Sequence, residues 1–306
     1  MISGVGAQFT NTIGMLLACR FLLGAGVGLV MPLSFTLISD YFTGKEQVKM
    51  MGYNTAFSNF GGIVTMLLAG YLASFNWRMP FNVYWLGLFI FILVFFFLPK
   101  DKPLEGNQEE KAKIPMSIYG LAFAACFIML IYYAIATNMA LYLEQSKLGG
   151  SQTAGIVIAF TTVGGIITSM TLVRLEMLLK NYLIPISLLI MGIAFAALTF
   201  SFSIPVIMIS VCLVGFGQGV IFPLINVNAL NQVNPLHSDK VIAIVSSMIY
   251  IGQFLSPVVL DGISQLANQP SIRFQYGVIA MSMVVAFVVV FLIKMFQSKQ
   301  YKQDHA

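Results

Sequence analysis

Residues 16–33 read LLACRFLLGAGVGLVMPL, and residues 215–224 read GFGQGVIFPL. When the front of the chain is shifted by 191 positions, both stretches show the pattern G-x-G-x-G-x-x-x-P-L. Apolar residues match by default between apolar helices, whereas Gly and Pro rarely match in register by chance. We infer that the chain contains two copies of one bundle of helices. Duplicated bundles are an architecture of membrane transporters, with the substrate site between the copies.

The composition is that of an integral membrane protein. Of the 306 residues, 58% are hydrophobic and 9% are charged, whereas soluble domains contain about 25% charged residues. A globule of this size has too few polar groups to cover its surface in water, so its solvent must be lipid. The net charge of +5 does not indicate nucleic acid as a partner, because Lys and Arg do not cluster beside aromatic residues.

Nine apolar runs are long enough to cross a bilayer, which takes about 20 helical residues each. Residues 1–9 form a further run that is too short to span. The sequence therefore predicts an all-α integral membrane protein with about nine full transmembrane helices and an N-terminal partial helix. The nine runs are residues 13–42, 49–74, 80–99, 115–143, 151–173, 182–200, 204–230, 240–265 and 272–296.

A block of charge divides the chain. We interpret residues 100–114 as a cytoplasmic linker and residues 297–306 as a cytoplasmic tail. Residues 1–99 then form an incomplete N-terminal bundle, and residues 115–296 form a C-terminal bundle of six helices.

The positions of Lys and Arg predict the orientation in the membrane. Twelve of the sixteen lie in one alternate set of loops and the tail, and three lie in the other set. Since basic loops stay inside, the C-terminus is predicted to be cytoplasmic, in the plasma membrane.

The repeat also bears on the N-terminus. Residues 1–9 read as the outer half of a helix, which would place the charged amine of Met1 near mid-membrane at a cost of at least a few kcal/mol. Mapped onto the second copy, a complete version would carry about 75 further residues before Met1. We therefore expect that the chain is N-terminally truncated.

At these residues the chain resembles a known family. LLACRFLLGAGVG, residues 16–28, resembles the fourth-helix motif L-x-x-x-R-x-x-Q-G-x-G-x-x of proton-coupled members of the major facilitator superfamily. Residues 31–52 and the WRMPF stretch at residues 77–81 are similar to the following part of bacterial multidrug efflux permeases of that superfamily. The resemblance extends over essentially the whole chain, from the end of the family's third helix to its twelfth.

The chain departs from the family pattern at three positions. Leu23 stands where the motif has Gln, and Thr65 and Met66 stand where the fifth-helix antiporter signature has Gly-Pro. The resemblance implies a secondary transporter, but it identifies neither the substrate nor the coupling ion.

Three charged residues in spans are candidates for function. Arg20 lies about 10 Å inside its helix, where a guanidinium should face the bundle interior or a wet cavity. The resemblance implies that Arg20 anchors substrate or controls a proton-accepting group; the alternative is a structural tether. Asp40, at a cytoplasmic helix end, is an interfacial charge or gate contact. Asp261, toward the outer end of its span, is the carboxylate placed to titrate within a span.

Four helices carry polar stripes at helical spacing. In lipid these groups need partners, so they should point inward, either into a cavity or into contacts between helices. A mostly apolar cavity with a few polar groups fits an amphipathic or lipophilic substrate better than a sugar phosphate. The candidate substrate or coupling residues are Arg20, Asn54, Ser58, Tyr133, Thr137, Gln218, Asn226, Tyr250 and Gln253.

Glycines and prolines form a structural motif. Small residues four apart let helices approach closely, and prolines allow bends. The motif residues are Gly24, Gly26, Gly28, Pro32, Gly215, Gly217, Gly219 and Pro223. Tyr71, Trp77 and Tyr276 lie near outer span ends, as is typical of interfacial anchors.

We predict a secondary active transporter of a small lipophilic or amphipathic solute, working by alternating access as a proton-coupled efflux protein and as a monomer. The alternatives are a truncated remnant that does not transport, and a permease for a metabolite such as a sugar or organic acid. A membrane enzyme is disfavoured because the spans contain no His and the chain has no P-loop. No Cys and His show metal-ligand spacing, so we predict no metal and no cofactor.

Overall fold

The computed structural model describes residues 2–42, 44–97, 114–233 and 238–303. All regular elements within these ranges are helices, as expected where lipid offers no partner for backbone N–H and C=O groups. The chain divides into two compact units, Met1–Ala112 and Lys113–Ala306. We call them the N-terminal unit and the C-terminal unit.

The described part of the N-terminal unit contains four α-helices and two 3-10 segments. Helix α2 begins after Thr12, whose hydroxyl oxygen accepts a hydrogen bond from the Met15 N–H at 3.4 Å and caps the helix. The elements are α1 (Ile2–Gly6), a 3-10 turn (Ala7–Phe9), α2 (Ile13–Tyr41), α3 (Gly44–Ala73), a 3-10 helix (Met79–Trp85) and α4 (Leu86–Phe97).

Two predicted spans differ in detail from the structure. The run at residues 80–99 begins with the 3-10 helix Met79–Trp85, which has Pro80 in its first turn, before α4. The run at residues 49–74 lies on α3, whose apolar described part is the shorter stretch Phe57–Ala73. Within the described residues, eight helical stretches are long and apolar enough to cross a membrane. The all-helical membrane fold is thus confirmed.

The described part of the C-terminal unit contains six α-helices and one 3-10 turn (Lys180–Tyr182). The principal contacts pair α5 with α9, α6 with α8, and α7 with α10. The helices are α5 (Met116–Gln145), α6 (Ser151–Leu179), α7 (Leu183–Phe200), α8 (Ile204–Leu230), α9 (Ser238–Leu266) and α10 (Ile272–Gln303). Their shared apolar core includes Ile135, Met191, Phe195 and Val211, all of them almost completely buried.

Glycines allow two of these pairs to meet backbone to backbone. A Cβ added at Gly215 on α8 would overlap the carbonyl oxygen of Thr161, and one added at Gly164 on α6 would overlap that of Cys212. In the same way, a Cβ at Gly252 on α9 would overlap the carbonyl oxygen of Cys126 on α5. These close approaches fix the α6–α8 and α5–α9 pairs, and with them the positions of the polar side chains on those helices.

Candidate functional site

In the N-terminal unit, Arg20 is held by an aromatic 3-10 helix. Its Nη1 donates to the Tyr84 hydroxyl at 3.4 Å, and its guanidinium carbon lies 5.1 Å from the centre of the Phe81 ring. Tyr84 in turn packs over Gly4, where a Cβ would lie 2.6 Å from its ring. Arg20 itself remains exposed within this unit. A guanidinium stacked on one ring keeps free N–H groups that can bind an anion or a carbonyl group.

Arg78, by comparison, ties chain segments of the same unit together. Its Nη2 donates to the Thr10 carbonyl at 2.9 Å, and its guanidinium carbon lies 4.6 Å from the centre of the Trp77 ring. This contact joins the start of the 3-10 helix to the segment before α2, so we assign Arg78 a structural role.

In the C-terminal unit, Asp261 is part of a chain of three polar side chains. Asn138 on α5 donates from Nδ2 to the Gln275 Oε1 atom at 2.6 Å. Gln275 on α10 then donates from Nε2 to the Asp261 Oδ1 atom on α9 at 3.0 Å. Asn138 and Gln275 are buried, whereas Asp261 is exposed at the surface of the unit. These two hydrogen bonds therefore link α5, α10 and α9 and end at one carboxylate that stays accessible.

A second polar cluster lies at the same end of this unit, around the end of α7. The Tyr142 hydroxyl donates to the Leu198 carbonyl at 2.7 Å and lies 3.1 Å from the Ser201 carbonyl. Arg273 donates to the Thr199 carbonyl at 3.0 Å and stacks on the Phe202 ring, 3.9 Å from its centre. These contacts satisfy carbonyls that the end of a helix leaves without partners.

Arg273 also reaches α5. Its Nη2 donates to the Ser146 hydroxyl at 3.0 Å, and its guanidinium carbon lies 5.2 Å from the centre of the Tyr142 ring. The Arg273 cluster, consisting of Tyr142, Ser146, Thr199, Phe202 and Arg273, thus joins α5, α7 and α10 at the end that the Lys and Arg distribution predicts to be outside.

The other candidate residues lie on the helices expected for them. Tyr133 and Thr137 are half-buried on α5, where the Thr137 hydroxyl donates to the Tyr133 carbonyl at 3.2 Å. Of the remainder, Ser58 is exposed and the others are half-buried. They are Asn54 and Ser58 on α3, Gln218 and Asn226 on α8, and Tyr250 and Gln253 on α9. Their roles in substrate binding stay predictions.

The repeated glycines have different surroundings in the two units. On α8, Gly215 and Gly219 face α6, and Gly217 faces Met191 of α7; Pro223 lies inside the helix. On α2, no heavy atom of the described residues lies within 4 Å of a Cβ built at the three matching glycines, which are Gly24, Gly26 and Gly28.

Two further candidates on α2, Pro32 and Asp40, have side chains outside the described residues. The gate or interfacial role expected for Asp40 therefore remains a prediction.

The prediction for Tyr276 is wrong. Tyr71 and Trp77 are exposed, but Tyr276 is fully buried and packs between the rings of Tyr142 and Phe195, with centroids 5.2 and 5.8 Å away. Its position near a span end resembles that of an interfacial anchor, yet the face of α10 that carries it turns toward α5 and α7.

Sequence reasoning missed four residues of these clusters: Asn138, Tyr142, Arg273 and Gln275. Asn138 directly follows Thr137 of a predicted stripe, but it lies about 100° further around the helix. A polar amide within an apolar run was the available signal for Asn138 and Gln275. Their partners are far away in sequence, so this signal did not indicate what they bind.

Comparison with known proteins identifies the class. The profile of the Major Facilitator Superfamily matches residues 1–176 and 178–304. The chain therefore belongs to this family of membrane transporters and is a multi-pass membrane protein. A segment of 100 residues is 29% identical to the Multidrug transporter protein MdtP of Bacillus subtilis (strain 168); it is 32% of this chain and 18% of that protein.

Solved structures share the fold. A bacterial homolog to the human lysosomal transporter Spinster, in its inward-facing and occupied conformation, superposes with a TM-score of 0.65 at 17% identity, over 96% of this chain and 78% of that one. Its inward-facing and unoccupied conformation gives 0.59 at 15% identity over the same shares. At such identities the likeness establishes the fold and nothing about the substrate.

Proposed function

We propose that the chain is a secondary transporter that exports a small lipophilic or amphipathic solute by alternating access, coupled to protons. The proposal rests on Asp261, an exposed carboxylate on a membrane-spanning helix whose hydrogen-bond partner in the described part of the chain is the neutral amide of Gln275. Ionisable groups inside a membrane are costly and characteristically mark the paths of ions, protons or substrates. A carboxylate that is not held by a cation can bind a proton without breaking an ion pair.

The sparse polar groups support the lipophilic class of substrate. The candidate side chains on α5, α8 and α9 are half-buried and separated by apolar residues, which is typical of sites for largely apolar ligands. The relative in Bacillus subtilis carries the name of a multidrug transporter, which is in keeping with this class. We further infer a plasma-membrane location, a cytoplasmic C-terminus and a monomeric state.

Arg20 favours a second candidate, a permease for an organic acid. Its guanidinium is exposed within the N-terminal unit while Phe81 and Tyr84 hold it in place. A fixed guanidinium can bind a carboxylate with two parallel hydrogen bonds. Under this alternative Arg20 is the substrate anchor, and Asp261 is not required for coupling.

Efflux of ethidium, a lipophilic cation, tests the proposal in bacterial cells that lack their own efflux proteins. Expression of the chain should lower ethidium accumulation, and a protonophore should abolish the difference. Asp261→Asn should slow efflux about tenfold or more, because the amide cannot exchange a proton. Glu144→Gln is the matched control, since Glu144 is an exposed carboxylate at the end of α5 and should leave efflux unchanged.

Arg20→Ala and Arg20→Lys separate the two candidates. Under the efflux proposal, Arg20→Lys keeps part of the ethidium efflux that Arg20→Ala loses. If the chain takes up an organic acid in a way that depends on Arg20 and exports no ethidium, the permease is favoured and the efflux proposal is contradicted. A chain that inserts into the membrane and moves neither probe would be a non-transporting remnant.

A further inference from the structure

The hydrogen bonds around Asp261 have a defined direction. The Gln275 amide has one oxygen, and this oxygen accepts from Asn138 at 2.6 Å. Its nitrogen must then point to the opposite side, where it donates to Asp261 at 3.0 Å. A flipped amide would place Oε1 against the carboxylate and Nε2 against the Asn138 N–H donor, so both contacts would become repulsive. The Asn138 donor and the ionised Asp261 carboxylate therefore favour the same orientation of the Gln275 amide.

Burial makes this arrangement rigid. Asn138 is 6% exposed and Gln275 is 3% exposed, so neither amide can exchange its partner for water. A buried amide left without a partner costs free energy comparable to a lost hydrogen bond or more. The exposed Asp261 thus accepts a hydrogen bond from one buried amide, Gln275, which a second buried amide, Asn138, contacts in turn.

The charged groups of the neighbouring elements do not replace this contact. On α10, Arg273 is engaged with Thr199, Ser146 and Phe202. On α5, Glu144 is exposed and carries the same charge as Asp261, and α8 contains no Asp, Glu, Lys or Arg between residues 204 and 230. In the described ranges Asp261 forms no ion pair, and its hydrogen-bond donor is the N–H of Gln275.

We propose that Asn138 and Gln275 are positioning residues for Asp261: Asn138 orients the Gln275 amide, and Gln275 stabilises and aims the ionised carboxylate. Protonation of Asp261 weakens its contact with Gln275, so the proton state of this carboxylate acts on the packing of α9 against α10 and α5. The assignment of this carboxylate to transport rests on the proposed function, but its positioning by the two amides does not.

Labelling with a hydrophobic carbodiimide tests the positioning without any transport substrate. Dicyclohexylcarbodiimide adds to a protonated carboxyl group and remains as an N-acylurea, so the labelling rate falls as the carboxyl group ionises. The full chain in lipid nanodiscs is labelled over a range of pH, and the Asp261 peptide is quantified by mass spectrometry. In Gln275→Leu the half-labelling pH of Asp261 should rise measurably, because the carboxylate has lost its hydrogen-bond donor.

Matched variants isolate the role of each amide. Asn138→Leu should shift the half-labelling pH in the same direction but less, since Gln275 remains and only its orientation is released. Gln152→Leu makes the same change at an exposed residue of α6 and should leave the half-labelling pH unchanged. The labelling of Glu144, measured in the same digest, should not move in any variant.

The double variant Asn138→Leu with Gln275→Leu controls for misfolding of the single variants. Removing both hydrogen-bond partners leaves neither amide buried without a partner. It should shift the half-labelling pH as far as Gln275→Leu alone. An unchanged half-labelling pH in Gln275→Leu and in the double variant would overturn the proposal, as would a wild-type Asp261 that labels at no pH. A wild-type chain that exports no ethidium, while Gln275→Leu still shifts the half-labelling pH, would overturn only the proposed function.

Discussion

At the scale of single residues, glycine decides how closely the helices of the C-terminal unit approach. Gly215 and Gly164 place the backbones of α6 and α8 in direct contact, and Gly252 does so for α5 and α9. Gly120, on the exposed face of α5, has open space around it in the described part of the chain. The same residue type therefore has very different importance at these positions.

Gly215→Ala should destabilise the protein by about 1–3 kcal/mol, because the new methyl group can be accommodated only if α6 and α8 separate. Thermal unfolding of the purified protein in detergent measures the change. Gly120→Ala is the control and should be neutral or slightly stabilising, since Ala favours the helix. Equal melting temperatures for the two variants would contradict the backbone contact at Gly215.

At the scale of elements, the end of α7 is where three helices are joined. Tyr142 of α5 and Arg273 of α10 supply hydrogen bonds to the carbonyls of Leu198 and Thr199. A cation near a helix C-terminus also interacts favourably with the negative end of the helix dipole. The Arg273 cluster therefore holds these ends of α5, α7 and α10 together.

Tyr142→Phe should cost about 1–3 kcal/mol, because it leaves buried carbonyl groups without their donor. Hydrogen exchange should increase at residues 198–203 and remain unchanged at the far end of α7. Tyr119→Phe, at an exposed tyrosine of the same helix, should change neither stability nor exchange. Protection at residues 198–203 that survives Tyr142→Phe would show that the hydroxyl does not hold this end.

The effects of Tyr142→Phe and Arg273→Leu should not add. Both residues act on the last carbonyls of α7 and are in contact with each other, and residues that share partners are energetically coupled. The double variant should be destabilised by less than the sum of the two single changes, as measured by unfolding in detergent. Strict additivity would mean that the two side chains stabilise separate parts of the unit.

At the scale of the whole molecule, the distribution of charge predicts the topology. Basic residues concentrate in one set of loops, and this bias predicts that those loops lie on the cytoplasmic side. In a background without Cys19, Cys126 and Cys212, Lys147→Cys should react with an impermeant maleimide in intact cells. Lys102→Cys should react only after the membrane is permeabilised. Labelling of Lys102→Cys from outside would reverse the predicted orientation.

Most of the fold could be predicted from the sequence. Each span satisfies its own backbone hydrogen bonds, so a run of about 20 apolar residues indicates a membrane helix without knowledge of its neighbours. Repeated Gly and Pro at positions such as Gly215 and Pro223 also indicate a duplication, which stays a prediction. The 3-10 start at Met79–Trp85 was not predicted, because hydropathy does not distinguish a 3-10 helix from an α-helix.

The sequence by itself determined the solvent of this protein, the helical form of its spans and its family, because these follow from local composition and from spacing along the chain. Only the tertiary structure showed that Asn138 and Gln275 hold Asp261, and that Tyr276 is buried rather than an interfacial anchor. Asn138 and Gln275 are 137 residues apart in sequence. Which face of a helix meets which neighbour depends on the packing of all six helices together, and no local pattern encodes it.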